Sequence, residues 1–276
     1  MLPPFDKHVF QLCGSHGPRR PIATAHESLH LPLETAVTKG SYNTSATFLW
    51  VGERTRQLNG AHLEYLRGLR NPIGVKIGPS MTPAEMVCIL RTLCNDTPDF
   101  AGRVTIITRM GAGKAATVLP PIIQAVQQSP FLPVWMCDPC HGNTFTHHGV
   151  KTRSIDEMLS EVRETIVALA DQGLQLGGLH LEQSGELVEE CVATTPCADE
   201  KIDMTRNYKS LCDPRLSREQ AQGFVEQTSK IMQEVEKSRN RASMDWRIQM
   251  RNTRSLDWVF ELFTARSARR SGLLRA

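Results

Sequence analysis

The chain has no run of 18 or more apolar residues, so nothing in its 276 residues reads as a membrane-spanning helix. Its amino terminus, Met1-Leu2-Pro3-Pro4-Phe5-Asp6-Lys7, lacks the basic-then-apolar order of a secretory signal. Eight cysteines without such a signal read as reduced thiols and point to the cytoplasm. A second Cys-x-x-Cys, which a structural zinc site normally requires, is also lacking. A net positive charge is lacking in most of the chain. Beyond Ser238 nine arginines face Asp245, Asp257 and Glu261, a local +6, so the remainder of a chain of net +3 carries about −3. A body of that balance gives no reason to expect a nucleic-acid partner. What is present is an ordinary globular composition, 40% hydrophobic and 22% charged, long enough to bury a core without staples.

From about residue 48 to 237, short β-type runs alternate with helical patterns. The predicted strands are Phe48–Val51, Gly74–Ile77, Val104–Ile107, Val134–Cys137, Gly178–Glu182 and Tyr208–Cys212. Helix starts fall between them. Thr82-Pro83-Ala84-Glu85 offers an N-cap, a proline in the first turn and a glutamate at the third position. Ser154-Ile155-Asp156-Glu157 is a capping box for a helix with Met158, Leu159, Val162, Ile166 and Leu169 on one face. Ser217 with Gln220 opens another. Strands alternating with helices predict βαβ units and a parallel sheet. Residues 1–47 show no clear strand, and the chain after Lys237 loses the alternation. There Leu256, Val259, Phe260 and Phe263 keep helical spacing among arginines. The expected organisation is an amino-terminal segment (1–47), an α/β domain (48–237) and a basic amphipathic tail (238–276).

Each predicted strand ends beside charged or metal-competent groups: Glu53 and Arg54, Lys76, Arg109, His141, Glu182 and Asp213. Parallel α/β proteins gather chemistry at the carboxyl ends of their strands, so the series reads as one site. The cations Arg54, Lys76 and Arg109 suit a small substrate carrying phosphate and carboxylate. His141, Glu182 and Asp213 make a nitrogen–oxygen–oxygen set for Mn²⁺, Fe²⁺, Co²⁺ or Zn²⁺ better than for Ca²⁺. The run Trp135-Met136-Cys137-Asp138-Pro139-Cys140-His141-Gly142-Asn143-Thr144 has three readings: a metal ligand at a barrel mouth, a redox or zinc Cys-x-x-Cys, and a Cys-x-x-Cys-His haem site. The missing export signal disfavours haem attachment, and the missing second thiol pair disfavours zinc.

Several segments together resemble class II 3-deoxy-D-arabino-heptulosonate 7-phosphate (DAHP) synthase. They are Trp50-Val51-Gly52-Glu53-Arg54-Thr55-Arg56-Gln57, Asn71-Pro72-Ile73-Gly74-Val75-Lys76-Ile77-Gly78-Pro79, Thr108-Arg109-Met110-Gly111, Cys137-Asp138-Pro139 with His141-Gly142-Asn143-Thr144, Lys151-Thr152-Arg153, Gly177-Gly178-Leu179-His180-Leu181-Glu182 and Cys212-Asp213-Pro214-Arg215-Leu216. The resemblance runs from about His26 to Lys237. It implies a (β/α)₈ TIM barrel of which about six βα units are present. It also implies condensation of phosphoenolpyruvate with erythrose 4-phosphate, the first step of the shikimate route to chorismate and aromatic amino acids. By the same resemblance Glu53, Arg54, Lys76 and Arg109 would hold phosphoenolpyruvate, with Glu53 helping to position the reacting water. His141, Glu182 and Asp213 would hold a divalent metal, Mn²⁺ or Co²⁺ first and Fe²⁺ or Zn²⁺ next. Lys151 and Arg153 would meet the sugar phosphate, and the enzyme would be a homo-oligomer.

Two departures from the family shape the expectations. The family's amino-terminal portion, with two strands and a Gly-Gly-Asp-Cys ligand motif, has no counterpart here; Cys13 reads first as a buried or loop cysteine and only second as a stand-in for that ligand. Cys140 replaces a methionine and offers a soft ligand or an oxidation site beside His141. No feedback inhibition by phenylalanine or tryptophan is expected. Two classes of function stay open on the sequence: a DAHP synthase, alone or completed by another chain, and a non-catalytic truncated paralogue.

Overall fold

The computed structural model describes residues 9–10, 34–36, 41–43, 46, 48–94, 101–197, 199–200 and 207–252, with the backbone alone at 9–10, 34–36, 41 and 242–252. Three short strands open the chain: β1 (Val9–Phe10), β2 (Glu34–Ala36) and β3 (Ser41–Asn43). The alternating part then runs β4 (Leu49–Val51), α1 (Ala61–Arg67), β5 (Ile73–Ile77), α2 (Pro83–Cys94), β6 (Val104–Thr108), α3 (Ala115–Gln127) and β7 (Val134–Cys137). A hairpin follows, β8 (Thr144–His147) and β9 (Val150–Arg153), then α4 (Ile155–Asp171), β10 (Gly178–His180) and the long α5 (Arg218–Asn252).

Strands β4, β5, β6, β7 and β10 lie side by side in that order, each parallel to its neighbour. The fold is therefore α/β with a parallel sheet. At the far side β1 pairs antiparallel with β10, Val9 opposite His180. Among the described residues the sheet has two ends, β1 and β4, and does not close on itself. β5 and β6 are buried at every position, as in a parallel sheet covered on both faces. One face carries the helices: α1 touches α2, α2 touches α3 and α3 touches α4. α4 buries Met158, Val162, Ile166 and Leu169 there, behind a Ser154 cap whose Oγ accepts the Glu157 N–H. On the other face, register aligns Lys76, Ile107 and Met136 across β5, β6 and β7. Phe48, Ile107 and Met136 form an apolar cluster with Ala46 and Trp50 on that side.

The predicted helix starts at Thr82, Ser154 and Ser217 are all used. The Glu85 N–H bonds Thr82 Oγ1, while Ser217 and Gln220 exchange two hydrogen bonds at the start of α5. Five of the six predicted strands form, within two residues of their expected bounds. The sixth does not: Tyr208–Cys212 is a loop. The reason is Glu190, a buried carboxylate that accepts the N–H groups of Lys209, Ser210 and Arg215 and the Ser210 hydroxyl, diverting donors that a strand ladder would need. A single parallel bridge, Gln183 to Leu216, replaces it. The first 47 residues do contain strands, two to three residues each and too short to show periodicity.

The chain divides into two compact units, Met1–Met232 and Gln233–Ala276. The described part of the second is the remainder of α5, which passes through Lys237 without a break to Asn252. Leu256, Val259, Phe260 and Phe263 lie outside the described residues. No helix among the described residues is long and apolar enough to cross a membrane.

Candidate active site

A cleft of about 620 Å³ opens where β4–β7 end. Seven of the nine residues singled out from the sequence line it: Glu53, Arg54, Lys76, Arg109, His141, Lys151 and Asp213. Trp50, Thr55, His62 and Thr144 complete its polar and aromatic wall. The cations come from three successive strand ends, Arg54 from the turn after β4, Lys76 from within β5 and Arg109 from the residue after β6. Lys76 is buried and placed by two contacts. Its Nζ donates to Asp138 Oδ2 at 2.7 Å and lies 5.8 Å above the Trp50 ring. Arg109 donates to the His141 carbonyl at 2.9 Å, fixing the two loops relative to each other.

His141, Glu182 and Asp213 each offer one ligand atom, all within 4.8 Å of one another. The donor set fits a divalent metal because the imidazole is already oriented. Asp138 lies 2.8 and 3.0 Å from His141 Nδ1, which leaves Nε2 directed at Glu182 Oε1, 3.4 Å away. A carboxylate behind a histidine in this way fixes its tautomer for metal binding. The charges are strongly coupled. Burial opposes ionisation of Asp138, yet His141 and Lys76 hold its carboxyl well below the usual carboxylate range. The Asp138 charge pushes His141 up to about 9 against its burial. Glu182 is likewise desolvated but is held down to about 2 by His141 and Arg153.

A model of the Class-II DAHP synthetase family matches residues 18–227. The chain belongs to that family. It is 48% identical to a phospho-2-dehydro-3-deoxyheptonate aldolase of Neurospora crassa, over 72% of this chain and 46% of that protein. It is 40% identical to phospho-2-dehydro-3-deoxyheptonate aldolase AroG of Mycolicibacterium smegmatis, over 72% of this chain and 45% of that protein. The chain thus spans less than half the length of these curated relatives. Among solved structures, a phospho-2-dehydro-3-deoxyheptonate aldolase from Francisella tularensis matches at 14% identity and a TM-score of 0.44, covering 68% of this chain and 56% of that one.

Two of the residues that resemblance to DAHP synthase singles out, Arg153 and Glu53, have their charged groups engaged by other protein groups. Arg153 does not line the cleft and is fully buried, with Glu182 Oε2 2.6 Å from its Nη2. Glu53 lines the cleft, but its oxygens are engaged. Oε2 accepts from Arg56 Nε and the Gly78 N–H, and Oε1 from Arg56 Nη2 and Ser80 Oγ, which fills the usual acceptor positions of a carboxylate. Lys151 reaches Asp213 Oδ1 at 3.3 Å from an exposed position. Cys140 is buried, and its sulfur accepts the Glu182 N–H at 3.3 Å. Burial drives its thiol pKa up, which keeps it protonated and a poor metal ligand. Cys137 and Cys140 are both free thiols. Cys13 lies outside the described residues.

Four supporting residues escaped the sequence reading. Asp138 sits inside a recognised motif, but its link to Lys76, 62 residues away, is tertiary. Glu161, buried in α4, accepts the Met110 N–H at 2.5 Å and an Asn143 amide N–H at 2.8 Å, joining the Arg109 loop to the His141 loop. Burial raises it to about 7, against the pull of the Gly111 and Met110 N–H groups. The two loops touch at Gly111 and Gly142, where a Cβ on Gly142 would fall 2.5 Å from Gly111 N. Glu164, one turn on from Glu161, accepts the Gly113 and Ala116 N–H groups at the start of α3. Glu190 does the same service for the loop that carries Asp213.

Proposed function

We propose that this chain carries the catalytic site of a DAHP synthase, joining phosphoenolpyruvate to erythrose 4-phosphate with release of phosphate, at the head of aromatic biosynthesis. The supporting observation is the convergence in one cleft of three cations from successive strand ends with the His141–Glu182–Asp213 donor set. The name shared by the two curated relatives points the same way.

In this reading Arg54 and Arg109 grip the carboxylate and phosphate of phosphoenolpyruvate through planar forks, and Lys76 adds a point charge from below. Lys151, exposed at the rim, meets the sugar phosphate. Asp138 keeps Lys76 and His141 in place together, so the anion site and the metal ligands share one anchor. Glu53 acts through the Arg56 and Gly78–Ser80 groups it holds, its own acceptor sites being filled. A divalent ion held by His141, Glu182 and Asp213, Mn²⁺ or Co²⁺ before Fe²⁺ or Zn²⁺, would supply Lewis-acid polarisation of the aldehyde oxygen. In the reaction, phosphoenolpyruvate carbon bonds to the aldehyde carbon, water adds at the cationic carbon so formed, the proton that this water gives up balances the one taken by the former aldehyde oxygen, and phosphate departs as the C–O bond breaks. The cleft's cations hold the phosphate oxygens as that bond breaks.

The same proposal places the parallel sheet in a (β/α)₈ barrel, the chain in the cytoplasm, where free thiols persist, and the active form in a homo-oligomer. The test is loss of phosphoenolpyruvate absorbance in the presence of erythrose 4-phosphate and Mn²⁺. Turnover should stop with a chelator and return with metal, and His141→Ala should lower it at least about a hundredfold. Soluble, folded chain without turnover would mark the site as inherited without activity. Turnover that survives His141→Ala would show the ligand set to be wrong.

A further inference from the structure

Arg153 is the largest fully buried side chain among the described residues, and the substrate cleft does not reach it. It ends β9, and its guanidinium touches three separate segments. Nε donates to Thr144 Oγ1 at 2.9 Å, Nη1 donates to the Pro214 carbonyl, and Nη2 lies 2.6 Å from Glu182 Oε2. Each partner belongs to a ligand-bearing segment. Thr144 stands three residues beyond His141, and its hydroxyl also donates to the Cys140 carbonyl just before that histidine. Pro214 adjoins Asp213. Glu182 is itself a member of the donor set.

We propose that Arg153 is a positioning residue of the metal site, its rigid fork setting the mutual spacing of His141, Glu182 and Asp213, and that it does not bind the sugar phosphate. The inference rests on the metal reading given above. Arg153 Nη2 and Glu182 Oε2 face each other as a buried ion pair, 2.6 Å apart but off hydrogen-bond alignment, and Oε1 is the oxygen beside His141 Nε2. A planar guanidinium can hold a carboxylate, a hydroxyl and a carbonyl in one plane-defined geometry, whereas an ammonium can reach them only as a point charge.

The sign of the effect separates positioning from simple charge. A permanent cation beside a divalent site repels the metal, so if Arg153 acted only through charge, weakening its hold on Glu182 would tighten metal binding. If it positions, the same change loosens binding. The experiment uses the full chain and measures Mn²⁺ binding from the paramagnetic resonance of the free ion, the visible spectrum of bound Co²⁺, and KM for erythrose 4-phosphate. Arg153→Lys should weaken Mn²⁺ binding about 10- to 100-fold and alter the Co²⁺ bands. Thr144→Val, which at nearly constant shape removes the hydroxyl that accepts from Arg153 Nε and donates to the Cys140 carbonyl, should weaken it in the same direction by about threefold. If Arg153→Lys does not fold, Thr144→Val decides alone. Unchanged or tighter Mn²⁺ binding with an unchanged Co²⁺ spectrum overturns the proposal, and a raised KM for the sugar phosphate alongside it would return Arg153 to a substrate role. Asp213→Asn separates the two readings. Loss of metal there, with normal binding in both other variants, sinks only this inference, whereas a wild-type chain that binds neither Mn²⁺ nor Co²⁺ sinks the metal reading itself.

Discussion

Asp138 joins a buried lysine to a metal-competent histidine and has no exposed surface of its own. Its charge is what raises His141 to about 9, so at neutral pH the metal-free imidazole holds a proton that a metal must displace. Mn²⁺ affinity should therefore climb about tenfold per pH unit up to about pH 9 and then level off. In Asp138→Asn the levelling should move to lower pH, and binding above pH 9 should weaken about 10- to 100-fold because the ring loses its orienting partner. Titrations of metal at several pH values would show both effects, and an unshifted profile would remove Asp138 from this role. The sequence made His141, Glu182 and Asp213 legible because ligand-type residues stood at successive predicted strand ends. The contacts of Asp138 with Lys76 and of Arg153 with three ligand-bearing segments were not legible, because they are tertiary. Spacing along the chain carries no trace of such contacts.

Elements were legible where a single physical rule dominated. The short runs rich in β-branched residues, Gly74–Ile77 and Val104–Ile107, form strands buried at every position, and the Ser154 and Ser217 caps marked helix starts. The β8–β9 hairpin was not seen. Its turn residues His148 and Gly149 both have positive φ, 46° and 83°, but His-Gly is not among the pairs that announce such a turn. Tyr208–Cys212 failed in the opposite sense: an apolar start was overruled by one distant carboxylate, Glu190. The closest approach of two elements at the cleft is also unreadable from sequence. At Gly142 any side chain must push against Gly111 backbone, 2.5 Å from the new Cβ, and backbone cannot swing aside. Gly142→Ala should separate the Arg109 and His141 loops, lowering kcat/KM at least about a hundredfold. The chain should still fold, at a cost of about 1–3 kcal/mol. Steady-state kinetics beside a denaturant melt would test this, and full activity would show that the loops move independently.

For the whole molecule the buried charges dictate how stability responds to pH. His141 is raised from 6.5 to about 9, so its contribution is complete below pH 6.5 and lost as pH rises through 9. Glu161, raised from 4.5 to about 7, lowers stability in the same sense between those values. His180 runs the other way. Burial and Lys76 lower it from 6.5 to about 3, so stability falls as pH drops across that interval. Asp138 and Glu182, both lowered, add a further loss in acid. Glu161 and His180 nearly cancel between pH 4.5 and 6.5, leaving a plateau there and a decline toward pH 9. Urea melts of chelator-treated chain at pH 5.5, 7 and 9 should show that order, and greatest stability at pH 9 would contradict the pattern. At this scale the α/β class and the parallel order followed from alternation alone, while sheet closure depends on strands that pair across long separations. Glu161 and Glu164, neighbours on α4, hold the Met110, Gly113 and Ala116 amides as well as the Asn143 side chain. The mouth loops therefore have no inexpensive opening motion of their own, because to breathe they must draw on the middle of a helix whose other side is locked into the core. Cleft and outer layer then fluctuate as one cooperative body, and the precision of the site belongs in part to a helix that does not line the cleft.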